Sequence, residues 1–349
     1  MSASNRSVSR PRAEAAGPAD RGGLEVRGLR VSLGSGDGAV DLIDGVDLDL
    51  APGRRLALVG ESGSGKSLTA TALMGLVDDP LRSTADVLRL GDVDLLRLSP
   101  QQWRRVRGAL VAMVQQDPLT ALSPVFSAGS QVAEAARSRS RNRKEAWTQA
   151  VDRMREVGIP DPTVRAHDFP HQLSGGLRQR VAIAMALASE PSLMIADEPT
   201  TALDVTVQSQ IIELLKTLSE QRGMSVVFIT HDLGIVPGFA HELAVMYAGR
   251  IVESGPAGRV LPVPRHPYTF ALIASQPGLD PRSPKRRLPT IPGSPPGARS
   301  RPPGCAFAPR CPVALDICTT IAPELRIVDE RAVACHRAEE VPELLGAGR

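Results

Sequence analysis

The chain has 349 residues, with 41 basic and 38 acidic side chains, a formal net charge of +3, and 42% hydrophobic against 23% charged residues. That balance is ordinary for a globular protein long enough for one large domain and an appendage, and it gives no ground for a nucleic-acid partner. No apolar run approaches the roughly 20 residues of a membrane-spanning helix, so any membrane role has to come through partners.

Residues 1–23 are polar and Arg-rich, without the apolar stretch of a secretory signal, and read as a disordered tail. The default compartment is then the cytosol, where disulfides are disfavoured. From Leu24 to Leu50 the pattern is strand-like, with a Gly-rich turn at 34–38 and alternation through Val46-Asp47-Leu48-Asp49-Leu50. Leu56-Ala57-Leu58-Val59 is apolar at every position, as in a strand buried on both faces of a parallel sheet. A glycine-rich turn and a helix through Met74 and Leu76 follow. Residues 100–170 read as mostly helical, and the basic stretch Arg137 to Lys144 reads as a solvated face. Leu193–Ala196 and Val226–Ile229 are two more buried-strand runs ending in polar residues, where parallel α/β sheets hold ligands. A hairpin-like segment covers 244–255. Nine prolines from Pro277 to Gly304 then mark an extended linker, assigned to 261–304, before a small Cys-bearing module at 305–340.

Gly60-Glu61-Ser62-Gly63-Ser64-Gly65-Lys66-Ser67, followed by Leu68, matches GxxxxGK(S/T) between a strand and a helix. Its glycines let backbone N–H groups curl around phosphates, with Lys66 reaching the β/γ-phosphates and Ser67 holding magnesium. Asp197-Glu198 ends a buried strand, where the Asp can hold magnesium and the Glu can polarise an attacking water. Each has a plainer reading when taken alone. Leu173-Ser174-Gly175-Gly176 opens an apolar helix, and alone is an ordinary Ser cap. The order of phosphate loop, LSGG, Asp-Glu and strand-end His231 is hard to obtain by chance.

With these motifs, residues 24–340 resemble the ATP-binding subunits of ABC transporters. The resemblance implies an α/β P-loop NTPase domain at 24–260, with a parallel core sheet, an antiparallel β subdomain and a helical subdomain near 100–170. It implies ATP and Mg²⁺ as ligands, Lys66 and Ser67 on the phosphates, Asp197 on magnesium, and Glu198 as general base. Gln116 in VQQDP becomes the glutamine that ligates magnesium and links the site to the membrane subunits. Ser174, Gly175 and Gly176 meet the γ-phosphate held by an opposite subunit; Asp204 crosses the dimer interface; His231 switches on the γ-phosphate. One departure is that VSLGSGDG offers Leu33 where the family places an aromatic against adenine.

The wording GESGSGKSLTATALMGL, QDPLTALSPV and ADEPTTALDVTVQ resembles the peptide and nickel importers, and Ser64, Leu177 and Met185 resemble their D-type subunit. This implies a peptide importer at the cytoplasmic face of the membrane. Its partners are an F-type ATPase paralogue, two permease subunits and an extracytoplasmic binding protein. Nickel or another small solute stands as the alternative cargo, and a non-transport ABC ATPase or a non-catalytic binding protein as rival functions. His266-Pro267-Tyr268-Thr269 resembles the branch's C-terminal extension and reads first as packing. Cys305, Cys311, Cys318 and Cys335, spaced C-x5-C-x6-C-x16-C, leave iron–sulfur, zinc and free thiols or disulfides open. The resemblance to D-type subunits implies a 4Fe–4S cluster.

Overall fold

The computed structural model describes residues 23–137, 139–140, 142–201, 203–276 and 290–346. The tail read over 1–23 lies outside the described residues except for Gly23, and so does the linker's Pro277–Pro289 stretch.

Two sheets organise the chain. The antiparallel sheet joins β1 (Leu24–Leu33) and β2 (Val40–Leu50) to β4 (Leu81–Thr84), β5 (Val87–Leu90) and β6 (Val93–Asp94). The second sheet has the order β12 (Arg326–Val328), β13 (Arg331–Val333), β11, β10, β3, β9, β8, β7. Its parallel strands are β3 (Arg55–Val59), β7 (Val111–Val114), β8 (Leu193–Asp197), β9 (Ser225–Thr230) and β10 (Glu242–Tyr247), extended antiparallel by β11 (Arg250–Pro256). β3, β8 and β9 are buried at every residue, which is why their sequences show no alternation.

Three apolar layers follow from this arrangement. Val26, Leu29, Ile43 and Val46 of the antiparallel sheet pack on Leu58, Ile195 and Ile229 of the main sheet. On the opposite face Ala196, Phe228 and Met194 meet Ile183 and Leu187 of the helix Gly175–Ala188 and Ile211 and Leu215 of the helix Val205–Arg222. The third layer sets Val59, Val245 and Tyr247 against Tyr268, Leu272 and Phe307.

Two sequence expectations need correcting. The stretch 100–170 does carry the helices Pro100–Arg107, Ala128–Ala136 and Arg143–Glu156, but β7 lies among them and pairs in register with β8. Four residues are too few to show a period, so VAMV was indistinguishable from helix. The Cys-bearing segment is also not a module standing apart. Its strand β13 (Arg331–Val333) pairs with β11 and carries β12 (Arg326–Val328) at the sheet edge. Phe307, 1% exposed, sits in the third layer. Its ring contacts Tyr247 and Tyr268 at 5.3 and 5.4 Å between centroids, so both tyrosines of the chain join this seam. Burying such a ring contributes about 1.5–3 kcal/mol, which a chain segment with little apolar surface of its own gains by docking on the large domain.

Candidate active site

The turn from β3 into the helix Lys66–Leu73 forms a loop against the end of β10. Gly60 lies so close to Met246 that a Cβ there would sit 2.2 Å from its carbonyl oxygen, and Gly65 takes φ 108° at the helix N-cap. With no side chain in the way, the Lys66 ammonium folds back over the loop, donating to the carbonyls of Gly60 (2.9 Å) and Glu61 (3.1 Å). Only 5% of Lys66 is exposed, and burial lowers its pKa against the opposing pull of Glu198, Asp197 and Glu61.

β8 delivers the carboxylates. Ser67 Oγ donates to Asp197 Oδ1 at 3.1 Å, and burial raises the Asp197 pKa. Glu198 takes φ 45°, a left-handed conformation that costs a non-glycine residue free energy and swings its side chain off the strand direction. Its Oε2 is met by Gln116 Nε2 at 3.2 Å, Thr201 Oγ1 at 3.1 Å and His231 Nδ1 at 3.2 Å. Its Oε1 lies 3.9 Å from Lys66 Nζ. Thr201 was not among the sequence candidates, although it opens the TALD stretch and its hydroxyl is the third partner of Glu198.

Gly65, Lys66, Ser67, Gln116, Glu198, Thr201 and His231 line a cleft of about 780 Å³ together with Ser62, Gly63, Leu68 and also Leu42, Gly249 and Arg301, while Gly60 and Asp197 lie outside this lining. Ser64 and Glu61 do not face it. Ser64 is 2% exposed beneath the loop, and the Glu61 carboxylate accepts two hydrogen bonds from Arg310, at 2.7 and 2.9 Å. Tyr268 of the HPYT segment accepts from Glu61 N at 2.8 Å, so that segment braces the phosphate loop from behind as well as packing.

Ser174, Gly175 and Gly176 lie elsewhere. Ser174 caps the helix Gly175–Ala188, accepting from Leu177 N at 3.4 Å, and Ser174 and Gly175 are exposed. Asp204 likewise caps the helix Val205–Arg222 through Val207 N at 2.9 Å and is exposed. The chain therefore does not bring these residues to its own cleft.

All four cysteines are free and line one cavity, but it holds only about 20 Å³, close to the room of a single water. Among the described residues no group of three or more His, Cys, Asp or Glu side chains could hold a metal ion. The expected 4Fe–4S cluster is thus not met by the arrangement seen. Burial pushes the Cys311 thiol up to about 11 and Cys335 to about 12, so neither is a thiolate near neutral pH as placed.

A glycine-built phosphate loop, a buried lysine over it and a strand-tip Asp-Glu pair define a P-loop nucleoside triphosphatase. The sequence matches the ABC transporter family over residues 43–201 and the oligopeptide/dipeptide transporter C-terminal region over 252–318. It is 46% identical over 315 residues to the dipeptide transport ATP-binding protein DppD of Escherichia coli (strain K12), spanning 90% of this chain and 96% of that one. The chain belongs to the ABC transporter ATP-binding family. DppD of Haemophilus influenzae is 45% identical over 314 residues, spanning 90% of this chain and 94% of that one. Among solved structures, the dimeric ATP-binding cassette MJ0796 bound to ADP and Pi superposes with a TM-score of 0.60 at 26% identity, covering 67% of this chain and 98% of that chain. CbiO1 of Clostridium perfringens, part of an ABC transporter complex, gives 0.59 at 26% identity, covering 69% and 91%.

Proposed function

We propose that the chain hydrolyses ATP as one half of a nucleotide-sandwich dimer and so powers the import of di- and oligopeptides. The observation that carries the chemistry is the Glu198 carboxylate, which Gln116, Thr201 and His231 hold beside Lys66. Glu198 accepts the proton of the attacking water as the new oxygen–phosphorus bond forms and the bond to the ADP oxygen breaks. Lys66 neutralises charge on the phosphate oxygens, and Ser67, Gln116 and Asp197 would hold a nucleotide-bound magnesium, which would supply further charge neutralisation there. His231 senses the γ-phosphate through the same cluster.

Placement of Ser174, Gly175, Gly176 and Asp204 away from the cleft, with Ser174, Gly175 and Asp204 exposed, supports their use by an opposing subunit, and the MJ0796 relative is a dimer with ADP and Pi. Closure then depends on the γ-phosphate, and hydrolysis releases it.

The names of the DppD relatives support peptide as cargo. No helix among the described residues is long and apolar enough to cross a membrane, so work at the cytoplasmic face passes through two permease subunits, fed by an extracytoplasmic binding protein. A groove of about 690 Å³ between Phe126, Trp147 and Met185 supports contact with a permease: Phe126 is 58% exposed, and its carbonyl is held by Gln131, on the segment that begins at Gln116. The F-type paralogue as the opposing ATPase, and a structural 4Fe–4S cluster on the four cysteines, belong to the same proposal. The cluster is supported by four free thiols around one cavity and requires them to converge further.

Purified complex reconstituted with its partners should take up labelled di- and oligopeptides only with ATP. Uptake of nickel without peptide refutes the cargo, a homodimer on one permease type refutes the F-type partner, and iron far below about four atoms per chain refutes the cluster.

A further inference from the structure

Glu61 sits in the phosphate loop with each of its polar groups taken by a different side chain. Its carboxylate is held by Arg310, its carbonyl accepts from Lys66 Nζ at 3.1 Å, and its N–H donates to Tyr268 Oη at 2.8 Å. That N–H shares a peptide with the Gly60 carbonyl, the other acceptor of Lys66 at 2.9 Å. A trans peptide points its N–H and C=O in opposite directions, so this one plane is pinned from both sides, by Lys66 on the carbonyl and by Tyr268 on the amide. Gly60, at φ 156°, has no Cβ to restrict rotation of the plane. A half-turn would aim the N–H at the ammonium and take one carbonyl away from Lys66.

Tyr268 is itself firmly placed. It is fully buried, with its ring centroid 4.5 Å from that of Tyr247 and 5.4 Å from that of Phe307. It lies in the first turn of the helix Pro267–Ala274, where His266 Nδ1 accepts from Tyr268 N at 3.0 Å. The buried Glu253 carboxylate of β11 accepts from the N–H groups of Arg265 and His266 at 2.9 and 3.0 Å, which ties the start of that helix to the main sheet. β11 pairs with β10, and β10 with β3, the strand that runs into the phosphate loop. The tyrosine and the loop therefore share one frame. A Phe would fill the aromatic seam as well as a Tyr does, so what the hydroxyl adds is its contact with the loop.

We infer that Tyr268 is a positioning residue for ATP hydrolysis: by holding the Glu61 N–H it fixes the peptide whose carbonyl holds Lys66, and so sets the ammonium where the β/γ-phosphates bind. This rests on the reading of the cleft as the ATP site. It gives the C-terminal region matched over residues 252–318 a part in the chemistry of the cassette matched over 43–201, although Tyr268 does not line the cleft. Preorganisation is the physical gain. An ammonium that is already oriented neutralises developing charge without first rearranging the loop.

The test uses Tyr268→Phe in the full-length chain, which removes the hydroxyl and keeps the ring. MgATP titration should show an affinity about tenfold weaker, the size of one lost hydrogen bond with its donor stranded, while every chain still binds nucleotide. A purely structural tyrosine gives the opposite pattern, unchanged affinity in a smaller binding-competent fraction, and that result overturns the inference. Lys66→Ala is the control on the underlying reading. If it binds MgATP as the wild type does, the cleft is not the ATP site; if it is weakened and Tyr268→Phe is not, only the role of Tyr268 fails. A measurement on the wild-type chain decides independently of any variant's folding. With glutamate labelled by nitrogen-15, the Glu61 N–H should exchange with solvent at least about tenfold more slowly than an open amide, and exchange at the open rate overturns the proposal.

Discussion

Arg310→Met tests how far the C-terminal segment supports the phosphate loop. The Arg310 guanidinium makes a two-pronged pair with Glu61 at 2.7 and 2.9 Å and donates to Pro292 O at 2.8 Å and Tyr247 Oη at 3.2 Å. It also lies 5.8 Å from the ring centroids of both Tyr247 and Phe307. Its side chain is 5% exposed and that of Glu61 24%. Removing one partner of a fully buried pair is destabilising by about 3–5 kcal/mol, mainly because the other charge is stranded. Glu61 keeps some access to water, so the lower end applies: about 3 kcal/mol, or a fall in Tm of about 6–12 °C for a domain of this size. Met keeps most of the volume, so the loss reports the polar contacts and not a cavity. Thermal and urea unfolding measure it, with MgATP titration alongside, and nucleotide affinity should fall too because Glu61 lies in the loop. Adding Glu61→Gln removes the stranded charge and should restore part of the stability. A loss below about 1 kcal/mol in Arg310→Met, or simple additivity in the double variant, refutes the reasoning.

Glu198→Gln should keep MgATP binding and lose about 10²–10⁴-fold in steady-state hydrolysis, because the amide still accepts from Gln116 and Thr201 but cannot take a proton; near-normal turnover removes Glu198 from the role of base. His266 is 1% exposed and its Nδ1 accepts from Tyr268 N, with burial holding its pKa down at about 3. The unfolded chain binds that proton near pH 6.5 and the folded chain does not, so the contribution is full above about pH 6.5 and is lost as pH falls toward 3, by up to about 1.4 kcal/mol per unit. His266→Asn, which keeps an acceptor, should flatten the urea-unfolding stability profile between pH 6.5 and 4, and an unchanged slope would mean that His266 is not the group responsible.

Much of the fold and site was legible because it is written locally. Leu56–Val59 reads as a strand buried on both faces because a glycine-rich turn follows it directly, and GESGSGKS carries its glycines and its lysine in one turn. The hairpin read over 244–255 is the β10–β11 pair, and Ser174 opens a helix as its side chain predicts. The missed strand β7 shows the limit, since four apolar residues between helices carry no period and gain their state from pairing with β8.

The amino-acid order alone therefore determined the phosphate loop, the carboxylate pair at the tip of β8 and the buried core strands, each of which needs only near neighbours to be recognised. Tertiary structure decided what meets what. Thr201 and His231 converge on Glu198 because β8 and β9 run side by side in the same direction. Arg310 reaches Glu61 across 249 positions, Arg301 reaches Asp44 across 257, and the cysteine-bearing segment becomes an edge of the main sheet instead of a separate module. Those contacts form because a short segment with little apolar surface is stable only against a larger core. Which part of that core it covers is set by shape and charge between residues far apart in the chain, and local periodicity does not encode it.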